Sequence, residues 1–152
     1  MMTLESLTTQ ATLHRTRLLL GLTDGASVVA WADATLLASA SPPAALIEVS
    51  LTPSDDLSAL RDALLPISED PESALVVEAV IHHVAHDLVS GRRGVKDTVS
   101  VLRQMRRMLP LPAAVDEEFA ELIDALMLAE AGIGHSLADA EAAICRWAAA
   151  VG

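Results

Sequence analysis

Apolar residues recur at spacings of three and four along almost the whole chain, and no stretch sustains the strict alternation of a half-buried strand. That periodicity restricts the chain to helices, and the residues at its breaks say where they begin and end. The first segment runs from about Thr3 to Leu20, with Leu4, Leu7, Ala11, His14 and Leu18 as its stripe, and stops at Gly21. A second opens near Asp24 and carries Val28, Val29, Trp31, Ala32, Leu36 and Leu37. Ser41-Pro42-Pro43 starts a short third helix ending near Ser50, because proline in a first turn gives up only an amide hydrogen that had no partner. Ser54-Asp55-Asp56 caps a fourth, with Leu57, Leu60, Leu64 and Leu65 inward, and Asp70-Pro71 opens a fifth that runs to Ser90. Gly91 and Gly94 bracket the turn into a sixth, which ends at Leu109-Pro110-Leu111-Pro112. Asp116-Glu117-Glu118 places acids where a helix start favours negative charge, and this seventh helix reaches about Ala131. Gly132-Ile133-Gly134 then leads to Ser136, which with Asp139 caps an eighth through Ala150.

The expected fold is therefore all-α, with about eight short helices packed as antiparallel hairpins in an irregular bundle or a small stack of hairpins. With 52% hydrophobic but only 2% aromatic residues, the core has to be built from Leu, Ala, Val and Ile, whose small volumes favour close helix packing. A chain of 152 residues buries enough surface for one core, and no linker is long or polar enough to mark a boundary, so a single helical domain over residues 1–152 is expected. No internal repeat is evident.

The formal net charge of −11 repels phosphate backbones and anionic membranes unless basic residues are gathered on one surface. They are partly gathered: Arg92, Arg93, Lys96, Arg103, Arg106 and Arg107 fall in one stretch whose only acid is Asp97. Cys145, the sole cysteine, excludes an intramolecular disulfide and fits a reducing cytoplasm. No apolar run approaches the ~20 residues needed to cross a bilayer, and the N-terminus lacks the pattern of a cleaved signal, so a cytoplasmic protein without membrane contact is expected.

Three patterns carry candidate chemistry. In helix five, spacing of four sets Glu78, His82 and His86 on one face, with His83 and Asp87 beside them. Two imidazoles one turn apart can grip a transition metal with a carboxylate as third ligand, although the face is also the less apolar one and suits simple solvation. The His86-Asp87 dipeptide occurs in metal-dependent phosphohydrolases, but those enzymes need further ligands on other helices, and beyond the cluster only His14 and His135 remain. Helix six lines Arg92, Lys96, Arg103 and Arg107 along one face, and with so few aromatics to stack bases, solvation and pairing with neighbouring acids is the expected role. In helix seven, Glu117, Glu121 and Asp124 share a face opposite the stripe Val115, Phe119, Leu122 and Leu126. No Glu-x-x-His pair accompanies them, which argues against a di-iron centre and for a solvated face or a docking surface for a basic partner. His14, within the apolar stripe of the first helix, reads as a hydrogen-bonded core or boundary histidine. Cys145, beside Ile144 and near Trp147, reads as a small buried hydrophobe. Nucleophile elbows and phosphate-cradling loops are lacking, so no cofactor is expected.

The stretches Leu18-Leu19-Leu20-Gly21-Leu22-Thr23-Asp24 and Val28-Val29-Ala30-Trp31-Ala32-Asp33, then Pro42-Pro43 and Leu46-Ile47-Glu48, resemble small uncharacterised bacterial all-helical proteins, some of them suspected toxin-immunity proteins. The likeness implies a family-like helical core over about a third of the chain and transfers no functional residue. The expected function is that of an acidic helical interaction module, of the immunity or adaptor kind, that binds a basic protein through Glu117, Glu121 and Asp124. The alternative is a metal-dependent enzyme or metal sensor using Glu78, His82 and His86. A homodimer is a further option, since basic and acidic faces of one chain can pair across a two-fold axis, whereas nucleic acid is not an expected partner.

Overall fold

A computed structural model describes residues 4–68 and 74–152, with side chains from Leu7 onward. Among these residues the chain is all α, with no strand: α1 (Leu4–Leu19), α2 (Gly25–Ala38), α3 (Ala44–Leu51), α4 (Leu57–Leu64) with a 3₁₀ turn over Leu65–Ile67, α5 (Ala74–Val89), α6 (Val95–Met108), α7 (Ala113–Glu130) and α8 (Leu137–Val151). None of these helices is long and apolar enough to cross a membrane. The expected opening at Asp70-Pro71 lies outside the described residues. The chain divides into two compact units between Val76 and Val77, within α5.

In the first unit, α1 gives up its last free carbonyls at a left-handed glycine. Gly21 has φ +69, its N–H donates to the Leu18 carbonyl at 3.2 Å, and the Leu22 N–H donates to the Arg17 carbonyl at 2.8 Å. The Asp24 side chain then accepts from the Ser27 N–H at 2.7 Å and starts α2. Helix α2 packs on α3, α3 on α4, and α1 on α4 and the 3₁₀ turn. Between them Leu7, Ala11, Leu18, Val28, Ala32, Leu46, Val49, Leu60 and Leu64 form one buried cluster. The buried hydroxyls of Thr12, Thr16 and Thr35 are satisfied by carbonyls one turn back, at 2.7–2.8 Å. Leu57 and Leu65, expected to face inward, are exposed. Leu57 opens its helix a turn ahead of the buried Leu60, and Leu65 sits at the switch to 3₁₀ geometry, rotated off the line of Leu60 and Leu64.

The second unit packs α6 on α7, α7 on α8 and α6 on α8. Leu102, Met105, Phe119, Ile123, Leu126, Ile144, Trp147 and Ala148 are buried, and Phe119 meets Trp147 edge to face with ring centroids 5.5 Å apart. Ser136 caps α8 by accepting from the Asp139 N–H at 3.1 Å, as its spacing anticipates. Helix α7 starts at Ala113, earlier than its acids indicate, because Pro112 supplies the extended N-cap residue. Cys145 is exposed, a correction of the buried placement: one residue past the buried Ile144, it is turned about 100° away from that face.

One spacing not singled out in the sequence reading recurs in both units, around the turn into α2 and the turn into α6. Helices α2 and α6 both have 14 residues. Leu19 corresponds to Val89, Gly21 to Gly91, Gly25 to Val95 and Ala38 to Met108, all at one constant offset. The two turns share a left-handed glycine, Gly91 having φ +77 with its N–H on the Leu88 carbonyl at 3.2 Å. The side chains at matched positions differ too much for sequence comparison, with Trp31 against Val101 and Leu37 against Arg107, so only the spacing of stops preserves the likeness.

Gly25 is buried, and a Cβ there would fall onto the Ser54 carbonyl and within 2.9 Å of Leu60 Cδ1. Gly25→Ala is therefore expected to cost about 2 kcal/mol or more, since backbone rather than a flexible side chain has to move. Gly94→Ser, in open space at an α6 N-cap that lacks a side-chain hydrogen bond, is expected to change stability by no more than a gain of a few tenths of a kcal/mol. Urea denaturation of the two variants beside the parent chain checks the contrast.

Candidate functional site

The histidine face of α5 does not assemble. His82 Nε2 lies 3.8 Å from Glu78 Oε1, both side chains are more than half exposed, and His86 is exposed a turn further on. Among the described residues, no three His, Cys, Asp or Glu side chains are grouped so as to hold a metal ion. The ordered polar cluster lies on the neighbouring face of the helix, about 100° round. Asp87 is only 6% exposed, and its Oδ2 is 3.3 Å from His83 Nε2 and 3.7 Å from Arg93 Nη2. The Arg93 backbone N–H also donates to the Asp87 carbonyl at 3.0 Å, and the Ser90 hydroxyl donates to that same carbonyl at 3.4 Å. Spacing of four pairs His83 with Asp87 in the sequence, but Arg93 arrives only through the reversal at Gly91. This cluster fastens the α5–α6 turn.

His14 occupies an unusual setting for a residue of its type. Its ring lies against Trp31 with centroids 4.5 Å apart and planes tilted by 37°, and the Trp31 indole N–H donates to Gln10 Oε1 at 2.9 Å. His14 Nδ1 is buried with no hydrogen-bond partner among the described residues, so the expected hydrogen-bonded histidine is instead held by ring contact. Burial, with the Arg17 charge adding to it, lowers its pKa to about 4.

Charge on the second unit is sorted between α6 and α7. Arg106 grips Asp116 with two hydrogen bonds, Nε to Oδ1 at 2.8 Å and Nη2 to Oδ2 at 3.3 Å, and Lys96 Nζ is 3.9 Å from Glu130 Oε1. The hydrogen bond holds the Asp116 carboxyl below its usual range and pushes Arg106 up; the charges of Asp116 and Asp124 add to the rise in Arg106. Because the pair near the connecting loop and the pair far from it both bridge the two helices, α6 and α7 run antiparallel side by side. The acids singled out in the sequence are not the ones consumed. Glu117, Glu121 and Asp124 are all exposed, and none forms an ion pair among the described residues. Spaced by four and three, they form a line on α7 that continues into Leu128, 47% exposed, and at the next turn into Ile133, whose N–H donates to the Leu128 carbonyl. On α6, Arg103 and Arg107 are likewise exposed and unpaired, so pairing with neighbouring acids accounts for only part of the basic face.

A groove of about 330 Å³ between α7 and α8 is lined by Ala125, His135, Asp139, Ala140, Ala143 and Arg146. The sequence reading gave His135 a loop position alone; the structure sets it at the rim of this groove. Comparison with protein-family models, curated proteins and solved structures finds no match for this chain.

Two expectations follow. Asp87→Ala leaves the Arg93 guanidinium and the His83 ring without their carboxylate beside an apolar void and is expected to cost about 3 kcal/mol in denaturant unfolding, with Asp87→Asn intermediate. His14 is harder to protonate folded than unfolded, so its contribution to stability is fully present above pH 6.5 and is lost as pH falls from 6.5 towards about 4, where the unfolded chain takes up the proton first. Thermal melts at pH 7.5 and pH 5 are expected to differ by roughly 1–2 kcal/mol more in the parent than in His14→Gln, allowing for the ring's partial contact with solvent.

Proposed function

We propose that this protein is an acidic helical interaction module, of the adaptor or immunity kind, that docks a basic protein partner on α7. The observation that carries the reading is the line Glu117, Glu121, Asp124: three exposed carboxylates, none of them in an ion pair among the described residues and Asp124 only within the field of the Arg106 charge, when Asp116 and Glu130 on the same helix each sit in one. Carboxylates left in this state raise the rate of encounter with a basic surface and select against acidic ones. Rim charges alone give little affinity, and the apolar residues at the end of the line, Leu128 and Ile133, supply surface whose burial gains from the hydrophobic effect. The eight residues from Glu117 to Asp124 span about 10 Å, the reach of two turns of a basic helix. A metal-dependent reading has less support, because Glu78 and His82 offer two neighbouring donors where a site needs at least three.

Titration of a fluorescent arginine-rich helical peptide into the protein tests the reading. Micromolar binding is expected, weakened at least tenfold in Glu117→Lys/Glu121→Lys/Asp124→Lys and left within twofold by the same change at Glu78 and Glu141. Equal binding by the triple variant and the parent overturns it.

A further inference from the structure

The antiparallel register of α6 and α7 does more than hold the hairpin together. Arg106–Asp116 and Lys96–Glu130, ten residues apart on α6 and fourteen on α7, bracket a register that brings Arg107 within about a turn of Glu117 in height and Arg103 within about a turn of Glu121. These four side chains do not meet within the chain. The buried side of α6 is formed by Thr98, Val99, Val101, Leu102 and Met105, and that of α7 by Phe119, Ile123 and Leu126. Arg103 and Arg107 on one helix, and Glu117 and Glu121 on the other, lie away from those sides and are exposed. The outward surface of the hairpin is thus a basic stripe and an acidic stripe lying side by side, at an interhelical separation of roughly 8–10 Å.

A two-fold rotation about an axis lying between the two helices and parallel to them exchanges the stripes and keeps every residue at its own height. Arg107 then faces a second Glu117 and Arg103 a second Glu121, and the symmetry makes each pair twice. We infer that the basic surface docking on α7 is α6 of a second copy of this chain, joined face to face through Arg107–Glu117 and Arg103–Glu121. The inference rests on α7 being a docking face and names its partner. No other two-fold within the surface does this, since an axis across the helices sets like stripes against each other. The lower end of the face offers Leu128 and the upper end Met108, both exposed, as apolar contact at its margins. The net charge of −11 opposes association at long range, but at physiological salt the screening length is about 8 Å, so contact pairs outlast the general repulsion.

Sedimentation equilibrium at 0.15 M salt, up to about 1 mM protein, tests it, this being the affinity range of a small polar interface. The parent chain is expected to show reversible dimerisation, and Arg103→Glu/Arg107→Glu and Glu117→Arg/Glu121→Arg are each expected to be monomeric with unchanged circular dichroism. Mixed one to one, those two variants recover a dimer, because one has only acidic stripes and the other only basic ones; all four reversals in one chain restore self-association. A parent that stays monomeric, or a dimer indifferent to the reversals, or a mixture that fails to associate, overturns the inference. A monomeric parent that still binds the arginine-rich peptide removes the second copy and keeps the α7 face, whereas loss of both removes the face itself.

Discussion

A helix ends with carbonyls that nothing in the helix can satisfy, and a protein made of short helices meets this cost again at every turn. Here the first turn of each unit meets it in one way. The carbonyls at Leu18 and Leu88 accept the N–H of a glycine in the left-handed region, those at Arg17 and Asp87 accept an N–H from just beyond it, and the chain reverses. Everything downstream inherits the angle set there. Helix α2 reaches the first core because Gly21 turns the chain, and Asp87 finds Arg93 because Gly91 does. That α2 and α6 share a length and follow the same kind of turn while sharing so little sequence is understandable on this basis: the stop positions are fixed by backbone chemistry, and the faces between them are not.

The units differ most in polarity. The α2 and α3 surfaces expose Leu37, Ile47 and Leu51, whereas the matching helix of the second unit carries Arg103, Arg106 and Arg107. On the second unit, charge is divided into what the fold consumes and what it leaves over. Asp116 and Glu130 are taken up holding α6 to α7. Glu117, Glu121 and Asp124 are not, and since exposed ion pairs add little to stability, leaving them unpaired costs the fold almost nothing while giving the surface a sign.

Much of the fold was legible because the signals are local. Asp24, Asp56 and Ser136 each act as the cap their spacing indicated, and the glycine stops fall where they were read; α3 is the exception, since Pro43 is its N-cap residue without a side-chain hydrogen bond, so Ser41 does not cap it and both prolines precede its first turn. Errors arose where a residue's face is set by a neighbouring element: Leu57 and Leu65 fit an apolar pattern but lie at the ends of α4, and Cys145 sits next in sequence to a buried residue but a third of a turn away in space. The acidic line of α7 was readable from periodicity alone. The clamp on Asp87 was only half readable, because pairing across a glycine turn depends on a backbone reversal that spacing in sequence does not encode.

The two tryptophans fall one to each unit, Trp31 against His14 with its indole bonded to Gln10, and Trp147 against Phe119. The indoles therefore occupy different electronic surroundings, the first next to an imidazole and an amide, the second in a hydrocarbon contact. Replacing either one leaves a chain whose emission comes from a single place, so the protein carries its own pair of optical reporters, and whether its halves melt in one step or two can be followed without attaching any dye.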